Sequence, residues 1–436
     1  MTSELINFNV DIWIPFLLLV GMTLFFRAVA PCWLYPGPFF SLYWTATIGV
    51  SLPFNRFPLW SGTLWWLVAT IFAFCIGSFI GGTAKAGYPV KGLGVSSGHY
   101  HYPWLERFIV FCFILGMLRV YFLGRVVADP MADQPPVWLQ FGLVAIYLGD
   151  MLGGVLLGST KTFRGMIIAF LGLLPQIAYS LIYGGRSSLV LGVFFFAGGY
   201  YGIKIFISGG KVHFLTAKLI TGTVSLIMAL FFLGILMGVF RFDPKEYEGG
   251  REKLTRFISN VEKKILDKSE FIGIADRFLP VIFGNIYSFS YFFKPVWEDP
   301  SPKYYVTVSV NEPHLSEYWD KPRPLEYGRL TFRGILRVVG IEPALIKQYP
   351  SFPVMNGVHS NVYTSFMPPI LDFGLPGSLV FSFVFGLLMG FSYLKLAQGH
   401  LGFIAAFCFF FPHVLNSGGL FFPYNSINLA LVLIAL

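Results

Sequence analysis

Charge is what this sequence has least of. Only 12% of its 436 residues are Asp, Glu, Lys or Arg, where soluble domains carry about 25%. Hydrophobic residues make up 55%, and the mean hydropathy is +0.67. A soluble globular protein is excluded, and a polytopic membrane protein is what remains. Cysteine is also scarce. Cys32, Cys75, Cys112 and Cys408 are scattered in or beside apolar runs and give neither a metal-ligand spacing nor a disulfide framework. No P-loop, zincin, Gly-x-Ser-x-Gly or dinucleotide fingerprint occurs. The first apolar run follows Glu4 and Asp11 with no basic region ahead of it, so no cleavable signal peptide is expected. Nor is there an internal repeat or an inverted pair of broken spans, the usual mark of a secondary transporter.

The few charges are unevenly placed. Of 22 acidic residues, 16 lie between Arg241 and Asp372, together with 17 of the 31 Lys and Arg. The chain is therefore an apolar bundle with one hydrophilic insertion. The net charge of +9 comes from the short loops of the bundle, and the positive-inside rule accounts for it without a nucleic-acid partner.

At roughly 20 apolar residues per bilayer crossing, about eleven spans are expected. They fall near 12–29, 36–53, 62–82, 105–124, 137–158, 164–184, 187–207, 214–240, 375–397, 400–416 and 420–436. The prolines of the second and the polar residues of the tenth make these the least secure. The expected organisation is an N-terminal bundle of about eight helices over 1–240, a large external loop over 241–374, and about three closing helices over 375–436. One side of the bundle collects Arg27, Lys85, Lys91, Arg107, Lys161, Arg164, Lys204, Lys211, Lys218 and Lys395, while the other holds only Arg56, Arg125 and Arg186. The first side is expected to be cytoplasmic, which puts the insertion outside.

Inside the insertion, Leu254, Phe257, Ile258, Val261 and Ile265 form one face of an amphipathic helix over 251–266. Arg329, Arg333 and Arg337 fall at i, i+4 and i+8, one stripe of a second helix. Like charges at that spacing repel, and an anionic partner relieves the repulsion. Arg forks suit phosphate oxygens, whether of a substrate diphosphate or of lipid headgroups. Arg186 follows two glycines at the external end of an apolar run, against the charge bias, where an unpaired charge is costly. Arg119 and Asp150 are the clearest charges within spans, and a buried structural ion pair is the expected reading. The segment Phe352 to Ser378, FPVMNGVHSNVYTSFMPPILDFGLPGS, brings His359, Asn361, Tyr363, Thr364 and Asp372 to the lip of the bilayer. His359 is the titratable candidate for a general base. Asp372 either orients it, binds a sugar hydroxyl or caps the span that follows.

With its GGR at 184–186, one large late loop, and NVYTSFMPPILDFGLPG leading into the closing spans, the chain resembles the bacterial oligosaccharide repeat-unit polymerases, the O-antigen polymerase (Wzy) family. The resemblance implies an all-α, GT-C-like glycosyltransferase of the bacterial inner membrane with its active site on the periplasmic side. It would transfer a growing glycan from undecaprenyl diphosphate to the terminal sugar of a new lipid-linked repeat unit, with no metal or other cofactor. In that frame Arg186 and His359 are catalytic, and Arg186, Arg329, Arg333 and Arg337 neutralise the diphosphates. Asn361, Tyr363 and Asp372 bind sugar. Expected partners are the two lipid-linked oligosaccharides, membrane lipids, and a chain-length regulator and flippase of the same pathway. An O-antigen ligase shares this layout, and a non-enzymatic lipid-linked sugar transporter is the rival from another class.

Overall fold

The computed structural model describes residues 10–52, 61–83, 103–126, 137–183, 186–210, 352–355, 358–360 and 367–408. Besides a helical stretch over 403–408, eight helices are seen among the described residues. They are α1 (Val10–Val29), α2 (Pro36–Ser51), α3 (Ser61–Thr83), α4 (Pro103–Val126), α5 (Val137–Ser159), α6 (Phe163–Tyr183), α7 (Arg186–Ser208) and α8 (Met367–Ala397). Six of them, all but α2 and α4, are long and apolar enough to cross a membrane. The 16 residues of α2 reach only about 24 Å at 1.5 Å per residue. In α4, Glu106, Arg107, Arg119 and Arg125 interrupt the apolar run. The expected spans at 214–240 and 420–436 and nearly all of the insertion, with its helices at 251–266 and around Arg329, Arg333 and Arg337, lie outside the described residues. Of the span expected at 400–416, residues 403–408 are helical and 409–416 lie outside.

Large apolar side chains face outward along these helices, among them Leu17, Leu24 and Phe25 on α1 and Phe163 and Phe170 on α6. Water would not tolerate so continuous an apolar exterior, whereas lipid requires it. The interior is built by close backbone approach. A Cβ on Gly77 would strike the Phe383 carbonyl, one on Gly81 that of Leu387, one on Gly386 that of Phe74 and one on Gly390 that of Ser78. The small-xxx-small spacing on both α3 and α8 thus lets their backbones touch, the usual way helices bind each other in lipid. The same device joins α5 to α7, through Gly154 on Phe196 and Gly199 on Met151, and α5 to α6, through Gly149 on Gly172. Polar glue adds to it. Thr23 of α1 shares hydrogen bonds with Ser41 and Thr45 of α2.

These contacts set helix directions. Gly142 and Gly149 of α5 lie beside Arg119 and Cys112 of α4, so the two helices are antiparallel. Gly158 and Gly199 show α5 and α7 running together. At the far end, Tyr393 of α8 donates to the Gly210 carbonyl at 2.6 Å and lies 3.2 Å from the Cys32 sulfur, and Tyr35 donates to the Ser78 carbonyl at 2.8 Å. The termini of α1, α2, α3, α7 and α8 therefore meet. Arg27, Arg107, Lys161, Arg164, Lys204 and Lys395, expected together from the loop charges, do fall at one end of the bundle.

One element departs from the all-helical expectation. β1 (Phe352–Met355) and β2 (Val358–Ser360) form a small antiparallel hairpin with Pro353 opposite His359. The sequence between them is Asn356-Gly357, a strong hairpin signal.

Candidate functional site

Two places gather polar side chains where an apolar environment makes them costly. The first is a seam inside the α4–α7 bundle. Asp150 of α5 is completely buried, and neither of its carboxylate oxygens has a hydrogen-bond partner among the described residues. Its Oδ2 lies 2.9 Å from where a Cβ on Gly192 of α7 would sit, and Cγ of Gln176 lies 2.5 Å from the same point. Gly192 thus leaves the gap in which the carboxylate of α5 and the amide side chain of α6 come together. One turn beyond Gln176, the Ser180 hydroxyl is also buried without a hydrogen-bond partner among the described residues. Gln176 and Ser180 follow Pro175, whose ring removes the donor that would serve the Leu171 carbonyl. Gly116 of α4 makes room for that ring, a Cβ there lying 2.8 Å from the Pro175 Cβ.

Arg119 does not form the expected ion pair with Asp150. The reason is register. Arg119 packs on Gly142, its Cβ lying 2.6 Å from where a Cβ there would be. That is eight residues, or about 12 Å along the axis, from Asp150. What faces Asp150 from α4 is Cys112, which interacts with it electrostatically. Tyr147, one turn before Asp150 and 5% exposed, bridges the two levels by interacting with Asp150, Tyr179 and Arg119. Arg119 in turn interacts with Tyr179 and Tyr147. The result is a polar seam of Arg119, Tyr147, Tyr179, Asp150 and Gln176 inside helices whose outer faces are apolar. Ionisable groups in such a position are costly by packing alone, which makes them candidates for binding or carrying a polar species.

The second place is the start of α8. The helix begins at Met367 and breaks at Gly374, where φ is 71° and ψ is −177°. Only glycine adopts that conformation readily. Past the break the helix resumes, with Ser378 Oγ donating to the Leu375 carbonyl at 2.7 Å, and continues to Ala397. A Cβ on Gly377 would collide with that of Phe373. The D-F-G-x-x-G pattern therefore has a physical reading: Gly374 allows the break and Gly377 leaves room for the Cβ of Phe373. Asp372, immediately ahead of the break, is completely buried.

The other residues singled out from the sequence divide as follows. Arg186 is the first residue of α7, and His359 lies in β2, eight residues ahead of α8. Arg329, Arg333, Arg337, Asn361 and Tyr363 lie outside the described residues. Gln176, Ser180 and Tyr147 were missed. A glutamine and a serine one turn apart behind a proline, within a span, were the available signal. Among the described residues no group of three or more His, Cys, Asp and Glu comes together as a metal site. No protein-family model matches the chain, and neither a curated protein nor a solved structure is found to be similar to it.

Proposed function

We propose that this protein is a membrane glycosyltransferase of GT-C-like architecture. It polymerises undecaprenyl-diphosphate-linked repeat units into O-antigen, capsule or exopolysaccharide at the external face of the bacterial inner membrane. The observation that supports the reading most is the broken entry of α8. A helix interrupted at membrane depth is tolerated where its backbone is buried in protein or lines a cavity. Six residues separate this one from the hairpin that carries His359. In the proposed reaction His359 takes the proton of the acceptor hydroxyl, whose oxygen attacks the anomeric carbon of the donor. The bond to the diphosphate breaks, and Arg186 with the Arg329, Arg333 and Arg337 stripe balances the charge of the leaving group. Asn361, Tyr363 and Asp372 hold the sugars.

The test is a gel-based polymerisation assay with purified protein in liposomes supplied with native lipid-linked repeat units alone. A ladder of products is expected from the wild type and none from folded Arg186→Ala or His359→Ala. A ladder that survives both substitutions keeps the activity and discards the site. With no ladder from folded wild type the polymerase reading fails, and transfer to lipid A core would then be assayed for the ligase.

The buried seam favours one second reading, a transporter of lipid-linked sugar that uses Asp150 and its neighbours as a polar path. Transbilayer movement of a fluorescent lipid-linked oligosaccharide in the same liposomes, present in wild type and lost in Asp150→Asn, would select it.

A further inference from the structure

Apart from both places described above, the basic end of the bundle carries a groove between the first turns of α4 and α6. It holds about 440 Å3 and is lined by Pro103, Glu106, Arg107, Val110, Arg164 and Ile168. Arg164 contacts Glu106 at 3.2 Å, its own side chain 80% exposed and that of Glu106 only 5%. Arg107 is exposed on the groove wall and has no ion pair among the described residues. Two guanidinium groups against one carboxylate leave the groove with one net positive charge. Both helices also direct their N-termini, the positive ends of their dipoles, at this end. At the α6 terminus, Thr162 Oγ1 accepts from the Gly165 N–H at 3.1 Å.

Away from the arginines the surface turns apolar at once. Trp104, Phe108 and Phe111 follow at i, i+4 and i+7 on α4, and Phe163, Ile167 and Phe170 repeat that spacing on α6, all of them exposed. A surface with cations at its mouth and two aromatic ridges leading from it has the polarity of an anionic amphiphile. We propose that this groove binds one anionic phospholipid from the leaflet at the basic end of the bundle. Its phosphodiester sits between Arg107 and Arg164, and its acyl chains lie along the ridges of α4 and α6. Net charge decides the headgroup. A single negative charge matches the groove, whereas a choline group would set its cation beside Arg107. This site is separate from the proposed glycan chemistry, which uses none of these residues.

The experiment is native mass spectrometry of the full-length protein released from detergent, titrated with phosphatidylglycerol or with phosphatidylcholine of identical acyl chains. Wild type should retain phosphatidylglycerol at least about fivefold better, a difference of the size expected for one basic residue facing an anionic headgroup. Arg107→Gln should bring retention down to the phosphatidylcholine level. Arg164→Gln should lower it severalfold, and Lys395→Gln, which removes a charge elsewhere at the same end, should leave it unchanged. Equal retention of the two lipids by wild type would overturn the proposal with no variant needed. So would a preference that persists in both arginine variants, or that falls equally in Lys395→Gln.

Discussion

Asp150 and Gly374 are held in the fold by opposite logics. Asp150 is a local expense: a buried carboxyl with no hydrogen-bond partner among the described residues, wedged against Gln176 at the Gly192 gap. Replacing the acid by the amide of the same shape, which never ionises, should not add to that cost. Asp150→Asn is therefore expected to melt no lower than wild type in detergent, while the transport of the second reading falls by about tenfold or more, some 1.4 kcal/mol in the barrier. Scanning fluorimetry beside the liposome assays checks both halves, and a sharp drop in melting temperature with activity retained per folded molecule would mark the seam as structural. Gly374 is instead a local necessity. Its φ of 71° with ψ of −177° costs a side-chain-bearing residue on the order of 1–3 kcal/mol. Gly374→Ala should lower the melting temperature measurably. Gly21→Ala should not, because nothing lies within 4 Å of a Cβ there and the φ is ordinary.

At the scale of elements, the ends of the helices were largely legible in the residue order. The runs expected at 62–82, 137–158, 164–184 and 187–207 are α3, α5, α6 and α7 to within a residue, because a bilayer selects long apolar runs and little else. The break in α8 was half legible. Its apolar part was expected to start at 375, where the helix resumes after Gly374, but the turns from Met367 onward read as loop because of Pro368, Pro369 and Asp372. The hairpin was missed although Asn356-Gly357 announces it. Lateral register was not legible at all. Depth counting brought Arg119 and Asp150 together, and only the packing of Arg119 on Gly142 separates them. For the same reason Gln176 and Ser180 passed as ordinary polar residues in an apolar run. What sets register is where glycines allow contact, and this can be tested directly. Leucine at Gly81 would drive a side chain into the Leu387 backbone, with no flexible neighbour to give way. Gly81→Leu should therefore part α3 from α8 and abolish the monodisperse peak in fluorescence-detected gel filtration, well beyond the 1–3 kcal/mol or so of ordinary overpacking. A normal peak would mean that this contact does not hold the bundle together.

For the molecule as a whole, the basic residues at one end of the bundle and the hairpin ahead of α8 make its orientation a measurable quantity. We propose, on the positive-inside rule, that the end with Arg107, Lys161 and Arg164 faces the cytoplasm. α8 runs toward that end, since its last turn carries Lys395 and meets Gly210 at the close of α7. In that orientation its first residues and His359, eight residues ahead of them, belong to the external side, where lipid-linked glycans are polymerised in the proposed reaction. The native cysteines simplify the measurement, because Cys32, Cys75, Cys112 and Cys408 are all buried and should react poorly with a polar thiol reagent. In intact spheroplasts a membrane-impermeant maleimide should therefore label His359→Cys and leave Lys161→Cys untouched until the membrane is opened. Lys161 lies exposed in the short connection between α5 and α6, so access to it depends only on the side it faces. The reverse pattern would invert the molecule and place His359 in the cytoplasm, which would sink the external polymerase. The groove between α4 and α6 would survive that result with its lipid drawn from the other leaflet, because its argument rests on charge and shape and not on sidedness.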